Sequence, residues 1–302
     1  MKKISLILAV TMFLILPTTK VCAMDSNVGS DNTDGSIYMS AEEKMNFKST
    51  NDQKFQNDMI EGRAKEYNKD YVESLMLEAA IESTENITDI YSELETYGCY
   101  VMNPIETDNN KSIKSFASSD SSDVSLSTPT VYYNAYNNTW TVTCGGYWKT
   151  TNWQKDFLTT GNVGGQDGFG VGFTNTSGSY KSAVVSCSAF ITDDKGTYVS
   201  TSNRSDGDGS KGFGFRLQDY VRTTGLYNYY IGYKWSGLCN YDTWFGNYSG
   251  IATAYYIHTY KSASISSVSF GVDGKNAGIN ASISNESNSF QCFSNDKKFG
   301  VQ

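Results

Sequence analysis

Two rhythms of apolar and polar residues run along this chain, and they divide it. From about Ala41 to Gly98 the apolar positions recur every third or fourth residue. Val72, Leu75, Met76, Ala79, Ile87, Ile90, Tyr91 and Leu94 fall on one helix face, with Glu73, Glu78, Glu82, Glu85, Glu93 and Glu95 on the solvent side. The run exceeds a usual helix, so a break is expected near Ser83-Thr84. Gly98 stands where a C-terminal cap belongs, and Asn103-Pro104 closes the region. The apolar stripe is thin and marginal in water, so it must pack on itself, on a partner, or on the rest of the chain.

From Pro129 onward the period drops to two. Short β-rich runs alternate with Gly, Asn, Asp and Ser turns: Val131–Tyr136, Thr139–Cys144, Gly168–Thr174, Tyr180–Thr192, Thr197–Ser202, Gly212–Leu217, Tyr227–Trp235, Gly250–Tyr260, Ser264–Gly271, Gly278–Ser284 and Phe290–Phe293. This density predicts a mainly β fold: an antiparallel, jelly-roll-like β-sandwich over 129–302, preceded by a short acidic helical region. Gly165–Ile191 reads as a hairpin turning at Thr174–Ser179. Phe169, Val171 and Phe173 take one face of its first strand, and Gly168, Gly170 and Gly172 the other. A bare glycine face calls for a neighbouring aromatic laid across it. The Gly-Phe-Gly of 168–170 returns at 212–214, as two equivalent strands in facing sheets would produce.

The segments before Ala41 change the picture of where the protein works. Lys2 and Lys3, the apolar Ile4–Leu16 and the small residues around Ala23 make residues 1–23 a secretory signal peptide. Residues 24–40 are polar and expected to be disordered, 41–106 form the helical region, and 107–128 read as a flexible linker. The linker is a protease target, so the helical part is either a tethered region or a cleaved propeptide. Charge follows the same division: 21 acidic against 8 basic groups in 24–128, but 11 against 13 in 129–302. Neither part has the concentrated basic face of a nucleic-acid binder.

Candidate chemistry is sparse. Cys144, Cys187, Cys239 and Cys292 lie in the β region of an exported chain and are candidates for disulfides, with three pairings open. No Cys-x-x-Cys pair supports a structural zinc site, so no metal and no cofactor are expected. The single histidine, His258, shares a strand face with Tyr256 and Tyr260. No Gly-x-Ser-x-Gly elbow accompanies it, and the aspartates, Asp167 among them, fall mostly in loops. Asp206–Gly212 departs from a calcium loop at its sixth and twelfth positions and reads as a hairpin turn. Aromatics carry the strongest hint. All 5 tryptophans and 16 of the 22 tyrosines follow residue 128. Trp148, Trp153, Trp235, Tyr241, Trp244, Tyr256, His258 and Tyr260 are the candidate ligand-binding residues, with two or three tryptophans expected at the surface to stack on sugar rings. The expectation is a secreted bacterial, non-enzymatic protein that binds a glycan or cell-surface target. The alternatives are a membrane-active toxin with an acidic leader, the one reading that brings membrane contact, and then a hydrolase.

Overall fold

The three-to-four rhythm does form helices, and they break where the sequence places the break. A computed structural model of the chain describes residues 35–81, 84–102, 121–156, 161–162, 164–177, 182–201, 204–209, 211–260, 265–273, 276–283, 289–293 and 295–296. The signal segment, Asn103-Pro104 and most of the expected linker lie outside them. Helix α1 (Ala41–Ile60) is capped by the Ser40 hydroxyl, which accepts from the Glu43 amide, and α2 (Lys69–Ala79) by Asn68. Helix α3 (Thr84–Thr96) ends before Gly98, whose φ of 75° gives the left-handed residue such an ending requires.

The strands are β1 (Gly35–Met39), β2 (Cys99–Val101), β3 (Val124–Leu126), β4 (Thr130–Asn134), β5 (Thr139–Trp148), β6 (Gly161–Asn162) and β7 (Asp167–Ser177). There follow β8 (Val184–Asp193), β9 (Tyr198–Thr201), β10 (Arg204–Asp208), β11 (Gly212–Leu217), β12 (Tyr220–Thr224), β13 (Tyr227–Tyr241) and β14 (Ser249–Thr259). The last are β15 (Ile265–Asp273), β16 (Asn276–Ile283), β17 (Ser289–Phe293) and β18 (Asn295–Asp296).

The fold is mainly β and antiparallel, with the helical region ahead of it. One sheet of 7 strands runs β10-β11-β7-β14-β1-β18, with β17 also on β14. A second of 9 strands is built around β13, which pairs with β5, β8 and β12. Strands β15 and β16 pair separately. The two large sheets share one core. Phe169 and Phe215 of the first sheet stack at 5.4 Å and land on Gly237 of β13, where a Cβ would stand 2.7 Å from the Phe215 ring. Glycine at that point lets the sheets close.

The outer face of the larger sheet is covered as well. Along β13, Trp235, Cys239 and Tyr241 enter the inter-sheet core, while Leu238 meets α2 and α3. Val72, Leu75, Met76, Ala79, Ile87, Ile90 and Leu94 are all buried, against Tyr132, Phe190 and Leu238. The helical stripe therefore packs on the β region of its own chain.

Several expectations change. Gly165–Ile191 is not a hairpin: β7 pairs with β11 and β14, and β8 pairs with β13 and β9, in the other sheet. The two Gly-Phe-Gly strands are neighbours in one sheet, with Gly170 opposite Gly214 and Gly172 opposite Gly212. The glycine face has its aromatic cover, since a Cβ on Gly170 would meet the Tyr255 hydroxyl at 2.8 Å and the Phe213 carbonyl. Gly35–Met39, at the end of the stretch expected to be disordered, is a strand paired with β14. Within the expected linker, β3 pairs with β5. Residues 204–208 and 212–217 form the hairpin expected in place of a calcium loop. Among the disulfide candidates, Cys187 and Cys239 lie directly opposite one another with sulfurs 2.8 Å apart, in thiol–thiol contact. Cys144 stands across from Gly237, and Cys292 across from Tyr256.

Candidate functional site

The aromatic residues singled out from the sequence are mostly interior. Trp148, Trp153, Trp235, Tyr241, Tyr256 and His258 are at most 1% exposed, so they present no surface to a sugar. Their large apolar area is what a two-sheet core takes up first. Trp235 stacks on Tyr256 at 4.0 Å, and Trp148 on Trp153 at 5.9 Å. Tyr260 is partly buried, its ring 6.0 Å from that of His258. Among the described tryptophans only Trp244, at 52%, reaches solvent; it sits on the turn Thr243–Asn247.

What the structure gathers instead is a buried set of charges around His258. Alternation along β14 sends Tyr256 and His258 to the inner face. The partner register sets Ile257 opposite Gly168, which puts Asp167, the first residue of β7, beside the imidazole. Asp219 comes from the two-residue link between β11 and β12, and Asp156 from the last position of the turn Asn152–Asp156.

Asp167 is saturated. Its Oδ2 accepts from His258 Nδ1 at 2.9 Å and from the Tyr256 hydroxyl at 2.7 Å, and its Oδ1 accepts from the Thr259 amide at 2.7 Å. Asp219 Oδ2 is 3.9 Å from His258 Nδ1, and Asp156 Oδ2 is 3.6 Å from Nε2. His258 and Asp167 are fully buried, Asp219 is 2% exposed, and the rings of Trp148 and Phe290 close over the imidazole at 5.0 and 5.3 Å. Burial disfavours the imidazolium, but the charge and hydrogen bond of Asp167 and the nearby carboxylate of Asp156 prevail, and the pKa of His258 rises to about 10. Burial also holds the Asp219 carboxyl well above the usual carboxylate range. The Asp167 charge adds to that shift and the His258 charge opposes it.

An imidazole oriented by an aspartate is half of a nucleophilic triad. The other half is missing among the described residues, because no hydroxyl or thiol hydrogen-bonds His258 Nε2 and the ring has no exposed surface. The cluster can hold a proton or a cation; it does not present a reactive group to a substrate. Of its members, sequence reading named His258 as a candidate and left Asp167 among loop aspartates. Asp156 and Asp219 carry no local signal, since an aspartate ending a turn or joining two strands is ordinary.

The surface offers a separate feature. A groove of about 710 Å³ is lined by Glu66, Tyr67, Asn68, Lys69, Tyr71 and Tyr97, where the α1–α2 connection passes the end of α3. Tyr67 stacks on Tyr136 at 4.9 Å, and Tyr71 meets Tyr97 edge-on at 5.6 Å. Lys65, bonded to Glu93 at 2.8 Å, stands 5.2 Å over the Tyr97 ring. Burial, reinforced by Cys99 and Glu73, pushes the Tyr67 hydroxyl up to about 12, so it remains a donor. Sequence reading missed this groove because it sought aromatics only after residue 128.

No family model matches the chain, and no curated protein does. One solved structure, described as "AvmM Catalyzes Macrocyclization in Alchivemycin A Biosynthesis", is similar over 55% of this chain and 85% of its own, at 7% identity and a TM-score of 0.21. That likeness carries no argument about fold or activity.

Proposed function

We propose that this is a secreted, non-enzymatic β-sandwich protein that binds an extracellular glycan or cell-surface target through the tyrosine-lined groove. The observation that carries the reading is the groove itself: Tyr67, Tyr71 and Tyr97 set ring faces and edges beside the polar side chains of Glu66, Asn68 and Lys69. Aromatic faces stack on the apolar faces of sugar rings, and flanking carboxylate, amide and ammonium groups fix hydroxyls. Tyr71 is 42% exposed and free to take such a contact. The sealed His258 cluster supports the non-enzymatic part, and the Lys2–Ala23 segment the secreted part.

A glycan array and a cell-wall pull-down test the reading. Binding by the wild type, weakened about tenfold by Tyr71→Ala or Tyr97→Ala, is the expected result. No retained glycan or cell-wall material at high protein concentration would overturn it. A membrane-active reading has one observation of its own. Leu226 and Tyr227, 98% and 70% exposed, form the tip of the β12–β13 hairpin. Dye release from anionic liposomes that disappears with Leu226→Asp would favour that second reading.

A further inference from the structure

The His258 cluster is richer in carboxylates than in cationic groups among the described residues. Asp156, Asp167 and Asp219 surround a single imidazole. Asp219 Oδ1 and His258 Nε2 are buried without a hydrogen-bond partner. Unpaired polar atoms in such a place are costly, and a divalent cation would bring more positive charge between the two neighbouring carboxylates than the imidazolium does. An oxygen from Asp167, an oxygen from Asp219 and a nitrogen of His258 lie within 4.8 Å of one another. Two of those separations are 2.9 Å, from His258 Nδ1 to Asp167 Oδ2, and 3.9 Å, from Nδ1 to Asp219 Oδ2. Ligands placed about 2.1 Å from one octahedral cation stand about 3.0 Å apart when adjacent and about 4.2 Å when opposite. The 3.9 Å separation falls within that span, and the 2.9 Å separation lies at its lower edge.

We infer that Asp167, Asp219 and His258 form a divalent-cation site, with Asp156 orienting the imidazole from its far nitrogen. Metal-ligating histidines characteristically give their second ring nitrogen to a carboxylate, which is the position Asp156 Oδ2 holds opposite Nε2. One imidazole with two carboxylates suits Mn²⁺ or Zn²⁺ rather than a purely oxygen-liking Ca²⁺. The three ligands come from β7, from the link between β11 and β12, and from β14, so the ion would pin the link that passes between the two sheets to the first of them. Its role is a clasp: Trp148 and Phe290 seal it from solvent, and no ligand is exposed. His258 stands out in the sequence as the single histidine, but its two aspartate partners lie at no motif spacing from it.

The test uses the full chain purified without chelator. Elemental analysis should find Mn or Zn in equimolar amount. Dialysis against chelator should lower the melting temperature by several degrees, and calorimetric titration with Mn²⁺ or Zn²⁺ should restore it. Asp219→Asn keeps the size of the side chain but removes a charged ligand. It should weaken metal binding at least about tenfold, while the metal-free variant melts no lower than the metal-free wild type. The site is overturned if the wild-type protein takes up none of Mn²⁺, Zn²⁺, Ca²⁺ or Mg²⁺ at millimolar concentration. It is also overturned if folded Asp219→Asn binds as tightly as wild type. The wild-type measurement decides the matter even if the variant does not fold.

Discussion

At the scale of single residues, Lys44 is the clearest departure from what a helix position predicts. It lies in the first turn of α1, yet it is fully buried. Its Nζ donates to the Phe245 carbonyl at 2.7 Å and sits 4.4 and 4.2 Å over the rings of Phe245 and Tyr248. Burial pulls its pKa from 10.5 down to about 7, while the carbonyl and ring faces return part of the lost hydration. Between pH 7 and pH 10.5 the unfolded chain therefore holds more protons at this position than the folded one. Stability should rise with pH across that window, by at most about 1.4 kcal/mol per pH unit from this group. Urea melts of wild type and Lys44→Met at pH 7 and pH 10 check this: the wild type should gain on the variant as the pH rises. A constant difference would show that the ring faces hold the ammonium as well as water does. The same scale explains why the His258 cluster was only partly legible. One member is unique in the sequence and stood out; the other three are aspartates whose meaning comes from residues far along the chain.

At the scale of elements, strand and helix positions were legible and their partners were not. Residues 167–177 and 212–217 announced themselves as strands through alternation and glycine, because a strand's pattern is local. Which strands pair is decided by the whole core, and β7 left its sequence neighbour β8 for β11 and β14. Strand β1 escaped notice for the same reason: its five residues acquire meaning only beside β14. Helix α2 shows the converse. The helical rhythm placed Glu73 on the solvent side, but Glu73 is 7% exposed. Its carboxylate accepts from Ser188 at 2.7 Å, from Asn240 at 2.7 Å and from Ser186 at 3.4 Å. The outward polar row of β8 and β13 thus has a counter-charge on the helix above it. Glu73→Ala should leave those donors short of a partner under the helix and cost about 2 kcal/mol. Denaturant unfolding measures it, and a loss below about 0.5 kcal/mol would mean that water replaces the carboxylate without penalty.

At the scale of the whole molecule, the helical region belongs to the fold it precedes. Its apolar stripe covers Tyr132, Phe190 and Leu238, its Lys44 fills a site beside Phe245, and β1 adjoins both β14 and β18. A chain cut to residues 121–302 would uncover all of these at once. It should lose its cooperative thermal transition and bind hydrophobic dyes, whereas the longer chain melts in one step; circular dichroism and dye fluorescence distinguish the two. A truncated form that melts cooperatively would revive a removable leader. The amide of Ala41 donates to the hydroxyl of Ser249 across a sequence separation of 208, and the adjoining β1 runs along β14. That pairing puts a clock on folding. The first strand of the fold to be synthesised has to wait for one made near the end, so the seven-stranded sheet stays open while the ribosome works through everything between. Until β14 arrives, one edge of β7 has no partner, and the nascent protein depends on being kept from its own kind.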